Sequence, residues 1–137
     1  MTSTVTTTRA AAPGLGVLIG TGAVAAAVAS AATMAVAAAG RAAGVSLEVA
    51  GAPIPVLGFG TLTAVFSLVG LLLAVVLART VGHPRRAFVR TTVVLTVVSL
   101  GPDLIADAGV ATKVLLMLTH LVAAAIVIPA VARRLAA

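Results

Sequence analysis

Four long apolar runs, separated by three short polar interruptions, organise the chain. They extend from about Gly14 to Ala39, Gly58 to Ala78, Ala87 to Ala106 and Thr112 to Ala132. A helix needs about 20 residues to cross a hydrocarbon core, so each run is long enough to span a bilayer. The pattern predicts an all-α membrane protein, an antiparallel bundle of four transmembrane helices. A polar tail over residues 1–12 is expected to be a flexible cytoplasmic segment, ahead of a single transmembrane domain over residues 13–137. The connections are a loop of Gly40–Leu57, a turn of Arg79–Arg86 and a very short turn around Asp107–Ala111.

The first loop has a pattern of its own. Val45, Leu47 and Val49 alternate with Ser46, Glu48 and Ala50, which is strand period. Ala50-Gly51-Ala52 can turn, and Pro53-Ile54-Pro55-Val56 can continue as an extended edge, where prolines are tolerated. Either a short β-hairpin or an irregular extended loop is expected across the outer mouth of the bundle, because an isolated hairpin is marginal in water.

Composition removes the competing classes. Of 137 residues, 61% are hydrophobic and 9% charged, against about 25% charged in soluble domains. A mean hydropathy of +1.26 excludes a disordered chain, which needs low hydrophobicity and high charge. Absence of cysteine excludes a disulfide scaffold, a thiol nucleophile and a zinc–thiolate site. The net charge of +6 would suit nucleic acid only with clustered basic residues and stacking aromatics on a soluble face. Trp and Tyr are absent, and Phe59, Phe66 and Phe88 lie in or beside apolar runs, so no nucleic-acid partner is expected.

Topology explains the charge better. Arg9, Arg79, Arg85, Arg86, Arg90, Arg133 and Arg134 fall on one side of a four-span arrangement, with Arg41 and Lys113 on the other. The positive-inside rule then places both termini and the second connection in the cytoplasm of a cell (inner) membrane protein. The cytoplasmic rim of Arg79, Arg85, Arg86, Arg90, Arg133 and Arg134 would attract anionic lipid headgroups by ~1 kcal/mol per residue. The first run could instead be read as a signal peptide cleaved near Ala37-Ala38-Ala39. Its apolar stretch, though, is roughly twice the usual 7–15 residues, which favours retention as a span.

Lipid tails are as apolar as leucine, so membrane helices associate through close packing and hydrogen bonds. Small and hydroxyl residues at helical spacing therefore mark inward faces. The first run offers Gly16 and Gly20, then Gly22, Ala26, Ser30, Thr33 and Ala37; the second offers Gly60, Thr63, Ser67, Gly70 and Ala74. These stripes suit bundle packing first and a homo-oligomer or another membrane protein second.

The third run carries a polar stripe of Thr92, Thr96 and Ser99 ending at Asp103. The stripe suits either a hydrated path or hydroxyls satisfied on carbonyls one turn back. An ionised carboxylate in hydrocarbon costs at least ~2.5 kcal/mol, so Asp103 needs a partner, a proton or an aqueous mouth. At ~1.5 Å per residue, Asp103 lies 24 Å above Ala87 and His120 lies 20 Å above Arg133. The two are therefore expected to meet as an intramembrane polar pair, with Lys113 able to lend a second positive charge. The pair could be a structural hydrogen bond or a proton-titrating site, since a neighbouring carboxylate moves histidine titration across the physiological range. His83 lies on the opposite side from His120, so no metal site and no cofactor is expected.

The outer loop Val45–Val56, His83-Pro84-Arg85-Arg86, Ser99-Leu100-Gly101-Pro102-Asp103 and Leu118-Thr119-His120-Leu121 together resemble an uncharacterised family of small bacterial four-helix integral membrane proteins, a domain of unknown function. The likeness covers most of the chain after the tail. It implies four spans and no particular activity.

The sequence holds no paired carboxylates, nucleophile–base set, glycine-rich phosphate loop or metal cluster. A non-enzymatic interaction or accessory membrane component is expected. The alternative is a small transporter or proton-coupled permease subunit using Asp103 and His120.

Overall fold

The computed structural model describes residues 14–137; the tail over residues 1–12, with Arg9, lies outside the described residues. Four helices make up the fold: α1 (Leu15–Ala42), α2 (Val56–Thr80), α3 (Pro84–Ile105) and α4 (Val110–Ala132). All four are long and apolar enough to cross a membrane. Between α1 and α2 stands an antiparallel hairpin of β1 (Glu48–Val49) and β2 (Ala52–Pro53).

Helix ends follow backbone chemistry rather than the limits of the apolar runs. Pro84 opens α3 three residues ahead of Ala87, because a proline at the first helical position has no amide to leave unsatisfied. α1 runs to Ala42 and stops where Gly44 turns left-handed at φ +89°. There the Val45 amide donates to the Gly40 carbonyl and the Gly44 amide to Arg41, both at 3.0 Å. That pair of bonds is a Schellman closure, which satisfies carbonyls the helix leaves open. None of the four helices has a side-chain N-cap. In α3 the tertiary fold supplies a partner, since the Arg85 amide donates to the Ala136 carbonyl at 3.2 Å.

α1 packs along both α2 and α4, while α3 leans on α4 and touches α2 more lightly. Small residues permit the α1–α2 approach. Gly22, Ala26, Thr33 and Ala37 are buried on α1, and Gly60, Ser67 and Ala74 on α2. A Cβ at Gly22 would collide with the Leu71 side chain, and one at Gly60 would come within 2.7 Å of Met34 Sδ. Thr33 and Thr63 join hydroxyls at 2.9 Å across the same interface. Gly16 and Gly20 face outward instead: a Cβ on either meets no atom within 4 Å.

Two apolar clusters result. Leu18, Leu71, Phe88, Val127 and Val131 fill the end where α3 begins and α4 finishes. Ala37, Phe59 and Leu115 fill the opposite end, closed by Leu47 from the hairpin.

The hairpin is shorter than the alternation of the sequence suggests. Leu47 sits at φ +54°, outside the strand. The left-handed residue turns the chain so that its side chain, 1% exposed, seals the bundle mouth. Ala50 and Gly51, at φ +52° and +75°, make the two-residue turn, the primed geometry that matches strand twist. The Ala50 amide donates to the Asp107 carbonyl at 2.7 Å, and Ser46 Oγ lies 3.4 Å from Thr112 Oγ1. The loop between α1 and α2 is thereby fastened to the far side of the molecule, at the α3–α4 turn.

Candidate functional site

Asp103 stands in the last turn of α3, one residue after Pro102, and the helix runs on to Ile105. A proline within a helix donates no amide hydrogen, so the Val98 carbonyl lacks its usual partner four residues on. The tight turn to Val110 then folds α4 back antiparallel, and its third turn carries His120 to the level of Asp103. His120 Nδ1 lies 2.8 Å from Asp103 Oδ2. The aspartate is 8% exposed, whereas the imidazole remains more open, with 39% of its side chain accessible.

This contact is not a straightforward hydrogen bond. Nδ1 also lies 3.0 Å from the Leu116 carbonyl, one turn back on α4. Oδ2 is buried beside the nitrogen without a well-aligned donor. An Nδ1–H shared between the Leu116 carbonyl and Oδ2 suits both distances, since both oxygens accept, and it holds α3 against α4 at one height.

The hydroxyl stripe does not extend this contact. Thr92 Oγ1 donates to the Phe88 carbonyl at 2.7 Å, Thr96 Oγ1 to Thr92 at 2.8 Å, and Ser99 Oγ to Thr96 at 2.6 Å. Each hydroxyl is half-buried and turned onto its own helix, the back-bonding that lets Thr and Ser reside in apolar surroundings. Lys113 lies near the pair but serves a different group. Its Nζ donates to the Leu104 carbonyl at 3.0 Å, capping the open C-terminal end of α3, where a cation is favoured by the helix dipole.

The expected basic rim lies at the other end of the bundle. Arg79 closes α2, Arg85 and Arg86 open α3, Arg133 and Arg134 follow α4, and Arg90 stands farther along α3; all six are exposed. His83 is exposed there too, with Nδ1 3.5 Å from the Ala137 carbonyl. The two histidines are thus separated by most of the bundle. Among the described residues, no three His, Cys, Asp or Glu side chains gather closely enough to hold a metal ion.

Sequence reasoning missed three backbone acceptors around the α3–α4 end of the bundle. The Leu116 carbonyl is legible in principle, because a histidine one turn on can reach back to it. The Lys113–Leu104 bond and the Ala50–Asp107 bond have backbone acceptors, which no residue pattern announces.

Neither a curated protein nor a solved structure matches the chain. A family model does, over residues 13–137, which takes in all four helices and the hairpin. The chain belongs to the family described as a family of unknown function, DUF6069.

Proposed function

We propose that this multi-pass protein is a non-enzymatic accessory component of a bacterial inner membrane, working through contacts with lipids and other membrane components. In this reading Asp103 and His120 form a clasp that keeps α3 on α4. The observation that carries it is the 2.8 Å contact itself, set beside hydroxyls that are each turned onto their own helix. A hydrated relay would need those hydroxyls open to one another. A clasp needs only the pair.

The basic end supports an orientation with the α2–α3 turn and both termini at the cytoplasmic face and the hairpin outside. The chain contains no cysteine, so single substitutions report sidedness cleanly. In intact cells a membrane-impermeant maleimide should label Glu48→Cys directly and Arg86→Cys only after permeabilisation. The reverse pattern would overturn the orientation.

One observation favours a second reading, a proton-coupled transporter subunit. Asp103 Oδ2 is buried without an aligned donor, beside an imidazole that is more open to its surroundings. Proteoliposomes under an imposed pH gradient separate the two. The clasp predicts no flux above protein-free vesicles; proton flux abolished by Asp103→Asn establishes the transporter.

A further inference from the structure

An open groove of about 530 Å³ runs between α1 and α4 on the outer surface of the bundle. Gly20, Val24 and Val28 line one wall, Ile126 and Ala130 the other, and Arg134 stands at one end. We propose that it holds a phospholipid with an anionic headgroup, one acyl chain lying in the groove and the phosphate on Arg134. This inference rests on the membrane-spanning architecture and not on the α3–α4 contact, so either can fail without the other.

Three features select this occupant. Gly20 to Val28 covers about 12 Å of helix at 1.5 Å per residue, close to the depth of one leaflet of a ~30 Å core. The walls are apolar along that length except at Thr21, and Val24 and Val28 are more than half exposed, as a surface facing a hydrocarbon chain would be. Arg134 follows the end of α4 at Ala132, which places its guanidinium at the height of headgroups. A guanidinium there can bond two phosphate oxygens at once. Charge also disfavours a second copy of the chain. In the same orientation it would bring its own basic end against this one, whereas an anionic headgroup complements it.

Native mass spectrometry of the full chain in mild detergent tests the assignment, with phosphatidylglycerol and phosphatidylcholine of identical acyl chains as probes. The native protein should retain one phosphatidylglycerol in preference to phosphatidylcholine. Arg134→Gln should weaken that retention about ten-fold, the loss expected for a charge-assisted hydrogen bond. Arg86→Gln, at the same end but outside the groove, should leave it within about two-fold if diffuse attraction is minor. Gly20→Leu fills the groove from a position where a Cβ meets no neighbour within 4 Å, and it should reduce retention of both lipids without changing oligomeric state. Equal effects of the two arginine substitutions would overturn the proposal. So would unchanged retention in Gly20→Leu, or a Gly20→Leu protein that loses a dimer while keeping its lipid.

Discussion

At Asp103 the chain buries a carboxylate in the last turn of an apolar helix, and an imidazole stands within reach. The strength of that contact is measurable as a coupling. Asp103→Asn, His120→Gln and the double variant, unfolded with SDS in bicelles, should show an interaction of about 1 kcal/mol, the usual scale for a hydrogen bond between membrane helices. Additive losses would mean that the Leu116 carbonyl alone determines the imidazole position. The two glycines of α1 that differ by two positions give the complementary prediction. Gly22 abuts Leu71 whereas Gly20 faces open space, so Gly22→Leu should destabilise the bundle by about 1–3 kcal/mol through overpacking. Measured in the same assay, Gly20→Leu should retain the stability of the native protein. The meeting of Asp103 and His120 was legible because rise per residue converts sequence position to depth. The destination of Lys113 was not, since its flexible stem reaches a helix-end carbonyl that would look the same beside any residue.

Among the elements, the helices were the most legible, because twenty apolar residues admit few other structures in a bilayer. Their ends were less so. Pro84 extends α3 and the Gly44 turn ends α1, neither of which hydropathy registers. The hairpin shows a sharper divergence. The alternation from Val45 onward suggests a strand, yet Leu47 leaves extended geometry to bring its side chain onto Phe59 and Leu115. Burying one leucine outweighs a left-handed conformation that costs roughly 1–2 kcal/mol for an L-residue. Ala50 has the same backbone strain without a buried side chain to offset it. Ala50→Gly should therefore relieve the turn by about 0.5 kcal/mol, after the larger chain entropy of glycine is subtracted. Slower amide exchange at Ile54, whose N–H bonds Leu47 across the loop, would register it; faster exchange would refute the strain assignment. For α3, removing the Thr96 hydroxyl as Thr96→Val should change stability by less than about 0.5 kcal/mol, because the bond it loses lies within one helix and is not shared with a neighbour.

Over the whole molecule, polarity separates by end. Exposed arginines collect where α3 begins, and the hairpin and the lysine-capped end of α3 occupy the opposite pole. Between them the helices are held by isolated polar contacts, Thr33 with Thr63 and Asp103 with His120, rather than by a continuous network. α1 is the best-packed helix and α3 the least, with Val93, Val94, Leu95, Val97 and Val98 all exposed along its middle. Composition disclosed the class of molecule but not this asymmetry, since α3 is no less apolar at those positions than its neighbours.

The bond from Ala50 to Asp107 sets an order of assembly. Its donor is made early in synthesis and its acceptor lies beyond the third helix. The neighbouring Ser46–Thr112 contact needs the start of the fourth. A chain that ends at Ile105 lacks both partners, and one that ends at Gly109 has only the first. Chains truncated after Ile105 should be cut by protease between Val45 and Pro55, while chains that continue through α4 resist. The loop thus reports that the chain beyond α3 has arrived.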